Sequence, residues 1–298
     1  MENNCKYVCS RGILKSCDIF SSTPISSIRQ LYNYDFTTLK NGSIIYVCSS
    51  ALQDFINIFN NITYKIILVT GDCDETVYTD IFDTYALFLN FINNDKLIHW
   101  FSQNCIVKHK KITQIPIGLD YHTMAAKDTS WGPMIAPLEQ ESIIINIPKL
   151  PFQDRIIKCY SNFHFLTTTK YGYDRVDAIN QIPKNLVYYE PTNIVREKTW
   201  INQSKYAFVI SPHGNGYDCH RTWEALVLGN IPIVKTSGLD SLFTDLPILI
   251  VNEWNDINQE LLNNTILKFK NSNFNYNKLL LSYWIKIIKD IYNDTNNN

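Results

Sequence analysis

Short runs of apolar residues alternate with longer amphipathic stretches along most of the chain. In the first half, runs rich in β-branched residues predict strands, and stretches with apolar residues at helical spacing predict helices between them. The predicted strands cover residues 43–49, 64–70, 97–101 and 112–117, and the predicted helices cover residues 51–59 and 79–91. This alternation is typical of a parallel sheet with helices on both faces.

The pattern is interrupted at residues 148–152, where prolines break the periodicity, and this segment is the candidate linker. The same alternation then resumes. Its predicted strands cover residues 156–160, 186–189, 206–211, 231–235 and 248–251, and its predicted helices cover residues 175–181, 197–204, 218–228, 255–269 and 277–292. We therefore divide the chain into residues 1–150, residues 151–275 and a final helical part, residues 276–298.

Two consecutive units of this kind predict an α/β fold with two Rossmann-like domains that face a cleft. A length of 298 residues agrees with about two domains. In open parallel sheets, ligands bind beyond the carboxyl ends of the strands. The ligand site is therefore expected in the cleft between the two units.

The composition excludes several classes of protein. Hydrophobic residues make up 45% of the chain, which excludes a disordered protein. The formal net charge is -1, so the charge balance gives no reason to expect nucleic acid as a partner. No apolar stretch approaches the roughly 20 residues that cross a bilayer, so no membrane insertion is expected. The cysteines are scattered without a C-x-x-C pair, which predicts free thiols.

Residues 206–247 form the most informative segment for chemistry, YAFVISPHGNGYDCHRTWEALVLGNIPIVKTSGLDSLFTDLP. A buried strand is followed by a turn with Gly214 and Gly216, and then a helix begins. Free backbone N–H groups and the helix dipole at such an N-terminus favour an anion, commonly phosphate. The glycines let the backbone approach a ligand closely, although Asp218 is also a plausible helix N-cap.

Arg221 and Glu224 lie three residues apart, and hence on neighbouring parts of one helix face. An arginine in the first turn carries a fork of donors suited to a diphosphate. A glutamate one turn further can accept hydrogen bonds from two ribose hydroxyls. Together they describe a nucleotide-sugar site; the alternative is an ordinary ion pair on the helix surface. The adjacent Cys219 and His220 are interpreted as structural, because neighbouring residues are poorly placed to chelate one metal.

The segment from Ser211 to Val251 resembles the donor-binding half of the exostosin-like glycosyltransferases. Relatives of that family occur in large DNA viruses and algae, and one branch contains ribitol-phosphate xylosyltransferases. The family pattern S-P-x-G-x-G-x-D-x-x-R-x-W-E-A-L, followed by G-x-I-P-I-V and D-L-P, is met at every position. Weaker similarity extends upstream through WFSQN at residues 100–104, IPIGLDYH at residues 115–122 and the Arg196-x-x-x-Trp200 segment.

The resemblance implies the GT-B glycosyltransferase fold, with the nucleotide held by the C-terminal unit and the last helix bracing the N-terminal unit. It implies that Arg221 neutralises the diphosphate, that Glu224 holds the ribose and that Arg196 is a second phosphate ligand. The remaining positions would line or flank the phosphates and the sugar. The predicted donor-binding residues are Arg196, His213, Gly214, Asn215, Gly216, Asp218, Arg221, Glu224, Lys235 and Ser237.

An inverting transfer needs a carboxylate or a histidine that takes the proton from the attacking hydroxyl. The N-terminal unit is expected to bind the acceptor and to supply this base. The candidates follow its predicted strands and are Asp72, Asp74, Asp120 and His122. Each lies in a loop where catalytic residues are found, but aspartates there are also common as turn and cap formers.

Asp72-Cys73-Asp74 also forms a D-x-D motif directly after an apolar strand. In the other glycosyltransferase architecture, GT-A, two such carboxylates hold Mn²⁺ or Mg²⁺ on the diphosphate. That interpretation would assign no function to Arg221 and Glu224. In GT-B the arginine and the helix dipole take the place of the metal, so no metal and no cofactor is expected.

The sequence therefore predicts a glycosyltransferase that moves a sugar, xylose or a hexose, from a UDP-sugar to a glycan hydroxyl, with inversion and without a metal. Two further alternatives stay open beside the GT-A enzyme: a non-catalytic nucleotide-sugar-binding protein and a nucleotide-sugar epimerase of the non-hydrolysing type. The expected partners are the UDP-sugar donor and a carbohydrate acceptor. The first residues lack the order of a secretory signal, so we expect a cytoplasmic protein, including in a virus-infected host cell.

Overall fold

The computed structural model describes residues 1–163, 165, 167–191 and 194–296. Within these ranges the named strands form two separate parallel sheets. The first sheet consists of Ser43–Cys48 (β1), Ile66–Gly71 (β2), Leu97–Ser102 (β3) and Ile112–Gln114 (β4), in this spatial order. The second sheet consists of Ile156–Ser161 (β5), Val187–Tyr189 (β6), Tyr206–Ile210 (β7), Ile231–Lys235 (β8) and Leu249–Val251 (β9), in the order β6-β5-β7-β8-β9.

Helices connect the strands and complete both units. They are Ser10–Leu14 (α1), Leu52–Phe59 (α2), Tyr85–Ile92 (α3), His122–Ala126 (α4), Pro137–Asn146 (α5), Gly172–Gln181 (α6), Arg196–Gln203 (α7), His220–Val227 (α8), Gln259–Lys270 (α9) and Leu281–Asn296 (α10). None of the helices in the described ranges combines the length and the apolar character needed to span a bilayer.

The predicted fold class, α/β with two Rossmann-like domains facing a cleft, is confirmed by the two parallel sheets. All nine predicted strands are present, and each boundary differs from the prediction by at most three residues. Whereas β5 and β9 of the second sheet are buried only in part, every residue of β1 and β2 is buried. Such strands are recognisable because a parallel sheet covered on both faces needs apolar residues at every position.

The helix predictions were less accurate than the strand predictions. The helix predicted at residues 79–91 begins only at Tyr85, because the side chain of Thr84 caps its N-terminus. Helix α5 is missing from the prediction. Its buried residues include Gln140 and Glu141, so its buried face carries no clear apolar periodicity.

A shared apolar core joins the two units. Tyr46 and Phe101 from the first sheet belong to the same buried cluster as Trp223 from α8. Helix α10 adds Trp284 and Ile288 to this cluster. The opposite faces of the two sheets are covered by separate clusters, so the contact between the units lies on one side of each sheet.

The end of the chain returns to its beginning. The backbone N–H of Val8 donates to the carbonyl oxygen of Leu279 at 2.9 Å, and the backbone N–H of Leu281 donates to that of Lys6 at 2.9 Å. Helix α10 then packs against α1 and β3. The two units are therefore connected both by the chain between β4 and β5 and by this returning segment.

The strand order of the second sheet creates a topological switch point between β5 and β7. The chain passes from β5 to β6 on one side and then to β7 on the other side. At such a point the connections after two neighbouring strands diverge and leave a crevice at their carboxyl ends. The described strands of the first sheet follow one another in chain order and form no such point. The fold thus directs a ligand to the ends of β5 and β7.

Candidate active site in the cleft

A cleft of about 670 Å³ opens at this switch point. The C-terminal unit contributes to its wall residues at and after the ends of β5, β6 and β7, and residues of α6, α7 and α8. The N-terminal unit contributes Asp74, Ile117, Asp120 and Trp131 to the wall. Both units therefore shape the same cavity.

Two glycines of the loop between β7 and α8 lie close against neighbouring groups. A Cβ atom at Gly214 would lie 2.7 Å from a guanidinium nitrogen of Arg175, and one at Gly216 would lie 2.8 Å from the side chain of Asn104. The Cβ atom at Gly216 would also lie 3.0 Å from the backbone oxygen of Asp74. A side chain at Gly216 would therefore push against the N-terminal unit, whereas a side chain at Gly214 would require the end of the flexible Arg175 side chain to shift.

Two guanidinium groups lie beside this loop. Arg221 on α8 donates from Nη2 to the carbonyl oxygen of Pro212 at 2.7 Å, and its guanidinium lies over the ring of Phe163. Its buried Nε has no hydrogen-bond partner among the described residues. Arg175 on α6 donates from Nε to the carbonyl oxygen of His213 at 3.3 Å. Burial, and then the charge of Arg221, lowers the pKa of Arg175, as expected for two neighbouring cations.

Arg175 and Asn162 are cleft residues that the sequence analysis misses. Asn162 directly follows β5, lines the cleft, and has a buried Oδ1 without a partner in the described part of the chain. No motif surrounds either residue. The available signal is the position along the chain, since Asn162 follows a predicted strand of the C-terminal unit and Arg175 begins the predicted helix 175–181. Their nearness to the glycine loop depends on β5 and β7 being neighbours.

Glu224 lines the cleft one turn along α8, and two side chains hold its carboxylate. Arg196 forms an ion pair with Oε1 through Nη2, and Trp200 donates from Nε1 to Oε2 at 3.1 Å. Nη1 of Arg196 donates to the carbonyl oxygen of Asp120 at 2.5 Å and to Oε1 of Gln140 at 3.0 Å. Arg196 thus orients Glu224 and links the two units. This geometry does not favour the expected role of Arg196 as a phosphate ligand.

Asp218 lies in the cleft wall, but its carboxylate holds the two units together. It accepts hydrogen bonds at 2.8 Å from the backbone N–H of Ile117 and from Nε1 of Trp223. Its own backbone N–H donates to Oδ1 of Asn104 at 2.8 Å. The alternative that Asp218 is the N-cap of α8 is wrong, because Cys219 occupies that position.

We expect an Asp218→Asn variant to change how the free energy of unfolding depends on pH. Burial raises the pKa of Asp218 to about 6, whereas an unfolded aspartate titrates near 3.9. The stabilising contribution of the protonated carboxyl is therefore complete below about pH 4 and is lost as pH rises through about 6. As pH rises between these limits, the free energy of unfolding of the wild type should fall by about 2–3 kcal/mol relative to that of the variant. Urea unfolding of both proteins at several pH values measures this difference, and parallel curves would contradict it.

Asp120 is the centre of a polar cluster on the side of the cleft that the N-terminal unit forms. Its Oδ1 lies 3.2 Å from Nδ1 of His122 and accepts a hydrogen bond from the backbone N–H of Thr123 at 3.0 Å. Burial opposes ionisation of Asp120, but His220, His122 and Arg196 outweigh it and hold its pKa well below the usual range. Asp120 and His220 line the cleft, and His122 lies behind them in contact with both.

The two carboxylates of the D-x-D motif lie in different places. Asp72 has a left-handed backbone conformation, with φ 59°, directly after β2. Its carboxylate pairs with Nε of Arg11 at 3.0 Å and accepts a hydrogen bond from Ser26 Oγ at 2.9 Å, away from the cleft. Asp74 lines the cleft, where its charge acts on Arg175. The expected catalytic role of Asp72 is therefore not favoured by the geometry, and Asp74 keeps a place in the site.

Within the described part of the chain, three of the predicted donor-binding residues do not line the cleft. The backbone N–H of His213 donates to Oδ2 of Asp174 at 2.7 Å, and its ring lies beside the same carboxylate. Lys235 pairs with Glu253 at 2.6 Å, and Ser237 belongs to the turn after β8. The predicted donor residues that the structure does bring to the cleft wall are Arg196, Gly214, Asn215, Gly216, Asp218, Arg221 and Glu224.

No protein-family model matches the chain, and no curated protein matches its sequence. Solved structures show only a distant likeness. "Trehalose-6-phosphate from E. coli bound with UDP-2-fluoro glucose" is 9% identical with a TM-score of 0.34, covering 86% of this chain and 72% of that one. "OtsA apo structure" is 11% identical with a TM-score of 0.32, covering 85% of this chain and 70% of that one. At these values the likeness says nothing of what this chain binds.

Proposed function

We propose that the protein is a glycosyltransferase that moves a sugar, xylose or a hexose, from a UDP-sugar to a glycan hydroxyl. Residues 1–150 would bind the acceptor, residues 151–275 would bind the donor, and residues 276–298 would hold the two units together. Inversion at the transferred carbon rests on the resemblance to the exostosin-like family. The charge of the leaving diphosphate is neutralised by side chains, without a metal ion.

The observation that carries the proposal is the pair of guanidinium groups at the switch point. Arg175 and Arg221 lie close together beside the glycine loop, and Nε of Arg221 is buried without a partner in the described structure. A ligand with several negative charges offsets the repulsion between them and satisfies that nitrogen. The backbone N–H groups at the start of α8 add to the same anion site. A diphosphate fits this combination.

Hydrogen-bond acceptors lie next to the two cations. Each carboxylate oxygen of Glu224 receives one donor, from Arg196 or from Trp200, and retains a lone pair for a hydroxyl. Oδ1 of Asn162 has no partner among the described residues and can accept a further N–H or O–H. Cations that suit a diphosphate thus lie beside hydrogen-bond acceptors that suit ribose hydroxyls. This is the order of the chemical groups in a nucleoside diphosphate.

The same cations also suit the chemical step. As the bond between the sugar and the diphosphate breaks, negative charge builds on the leaving oxygen. Arg175, Arg221 and the N-terminus of α8 are fixed before the reaction begins, so they stabilise this charge without reorganising. The acceptor hydroxyl would approach from the side of Asp74, Asp120 and Trp131, which the N-terminal unit contributes.

We expect an Asp72→Asn variant to lose stability and to keep its affinity for UDP. The substitution removes the counter-charge of Arg11, which keeps its hydrogen bonds to Pro24 and Ser26, and the loss of a hydrogen bond to a charged group costs roughly 1.5–3 kcal/mol. Asparagine tolerates the left-handed backbone at this position, so the turn itself is kept. Urea unfolding and a UDP titration, each with and without Mn²⁺, check both parts. A Mn²⁺-dependent UDP affinity that disappears in the variant would favour the GT-A alternative.

The proposed activity is tested by measuring UDP release from UDP-xylose, UDP-glucose, UDP-galactose and their N-acetylamino counterparts. We expect one donor to release UDP at a rate that increases when a panel of glycosides is added as acceptors. Conversion of a donor into its epimer without UDP release would identify an epimerase. Tight binding of UDP without release from any donor would identify a binding protein.

A further inference from the structure

His220 is the first residue of α8, lines the cleft, and has its tautomer determined by the backbone. Its Nδ1 lies 2.7 Å from the carbonyl oxygen of Gly118, the loop residue after β4. A carbonyl oxygen only accepts hydrogen bonds, so Nδ1 must carry the hydrogen. In the neutral ring Nε2 then holds the lone pair, and a histidine in this state is ready to accept a proton.

No hydrogen-bond partner of Nε2 is found in the described part of the chain, and the ring belongs to the cleft wall. The two other histidines near the site differ in this respect. His122 has its Nδ1 beside Asp120 and His213 has its Nδ1 beside Asp174, and neither lines the cleft. Of these three rings, only that of His220 combines a fixed tautomer with a place in the cavity.

We infer that Nε2 of His220 is the proton acceptor for the hydroxyl that attacks the sugar; this inference rests on the proposed transferase function. The hydroxyl oxygen forms the new bond to the anomeric carbon and gives its proton to Nε2. The bond from that carbon to the diphosphate breaks, and its electron pair leaves with UDP. The imidazolium that results is one unit more positive and the leaving diphosphate one unit more negative, so charge balances.

The charged groups around His220 are arranged to tolerate this imidazolium. The carboxylate of Asp120, next to the Gly118 loop, interacts electrostatically with His220, as does Asp218. The ring centroid of His122 lies 6.0 Å from that of His220. When His122 is protonated, its charge disfavours a positive charge on His220. The other charged groups of the described cleft wall are Arg175 on α6, Glu190 after β6, Arg196 on α7, Arg221 and Glu224 on α8, and Asp74 after β2.

This arrangement separates the role of Asp120 from that of His220. Independently of the histidines, the charge of Arg196 and the hydrogen bond from the backbone N–H of Thr123 favour the ionised form of Asp120, so this carboxylate has little tendency to take a proton. Asp120 is therefore a positioning residue whose negative charge supports the protonated form of His220. The sequence analysis had named Asp120 as a candidate base and had interpreted His220 as structural.

A His220→Asn variant tests the inference, because asparagine can still donate to the Gly118 carbonyl oxygen but cannot accept the proton. We expect UDP release from the preferred donor to fall at least 100-fold in kcat, within the range for general-base removal, with the affinity for UDP changed by less than about threefold. The wild-type pH profile of kcat should show an acidic limb that the variant lacks. His109→Asn, the same change in the loop between β3 and β4, is the matched control and should retain full activity.

A second measurement uses only the wild type and needs no acceptor. The ¹⁵N spectrum of the histidine side chains, with the His220 ring assigned through its own backbone resonances, should show the Nδ1–H tautomer for the neutral ring. An Nε2–H tautomer would overturn the inference, and so would a variant with kcat within about threefold of the wild type. Failure of the wild type to bind UDP would instead refute the proposed function, so the two failures are distinguishable.

Discussion

An Arg221→Met variant is expected to bind UDP 10- to 100-fold more weakly than the wild type. Methionine keeps the length and apolar stem of the side chain but removes the charged donors that face the cleft. Hydrogen bonds to a charged group contribute roughly 1.5–3 kcal/mol, which corresponds to this range of affinity. The turnover of a UDP-sugar should fall further than the affinity, because the same group stabilises charge on the leaving diphosphate.

Calorimetric titration with UDP measures the first effect and UDP release measures the second. Lys268→Met on α9 is the control, since it removes an exposed cation outside the cleft wall. An affinity for UDP that is equal in the wild type, the control and Arg221→Met would contradict the diphosphate site at the switch point. Near-native unfolding curves for all three proteins are required for the comparison.

Asp120→Asn is expected to lower kcat by about 100-fold while the affinity for UDP stays unchanged. The substitution keeps the size of the side chain and a hydrogen-bond acceptor for Thr123, but it removes the negative charge beside His220. Without that charge the imidazolium formed during transfer has no counter-ion at this position. Because general-base catalysis contributes 10²–10⁴-fold to the rate, we expect a loss at the lower end of this range. Donor binding depends on α6 and α8 and is not affected.

The pH profile distinguishes this electrostatic role from a purely structural one. In Asp120→Asn the acidic limb of the kcat profile should move to lower pH, because the protonated histidine is less stable without the carboxylate. Loss of activity at all pH values with an unchanged position of the limb would indicate damage to the structure instead. Activity equal to that of the wild type would show that the cluster around Asp120 takes no part in the reaction.

The sequence was sufficient to predict what depends on local pattern. The strands are recognisable because every position of β1 and β2 is apolar or small and buried. The strand–loop–helix unit around α8 is recognisable because Gly214 and Gly216 stand between a buried run and an amphipathic one. The placement of Arg221 and Glu224 on the cleft wall follows from their spacing on that helix.

What the sequence could not predict depends on contacts between distant segments. Asp218 has the residue type of a helix cap, but Ile117 and Asn104, more than 100 residues earlier, engage it instead. Asp72 has a left-handed backbone that turns the chain after β2, so the carboxylates of Asp72 and Asp74 lie in different places. The tautomer of His220 depends on a carbonyl oxygen 102 residues away. No local rule contains these pairings.

Arg175 illustrates the same limit for the donor site. It lies on α6, a helix without a recognisable motif, and reaches the glycine loop only because β5 and β7 are neighbours in the second sheet. The expected second cation was Arg196, which instead holds Glu224 and the backbone of Asp120. The sequence analysis paired Arg221 with Arg196 at the diphosphate; Arg175 as the second cation is a proposal that depends on this strand order.

The most direct test of the central claim is a calorimetric titration of the wild-type protein with UDP in the presence of EDTA. A site made of Arg175, Arg221 and the N-terminus of α8 needs no cation, so we expect binding with a Kd in the micromolar range and no gain when EDTA is replaced by Mn²⁺. Binding that appears only with Mn²⁺ would contradict the metal-free site and favour the D-x-D motif. Absence of binding under both conditions would contradict the nucleotide-sugar site itself.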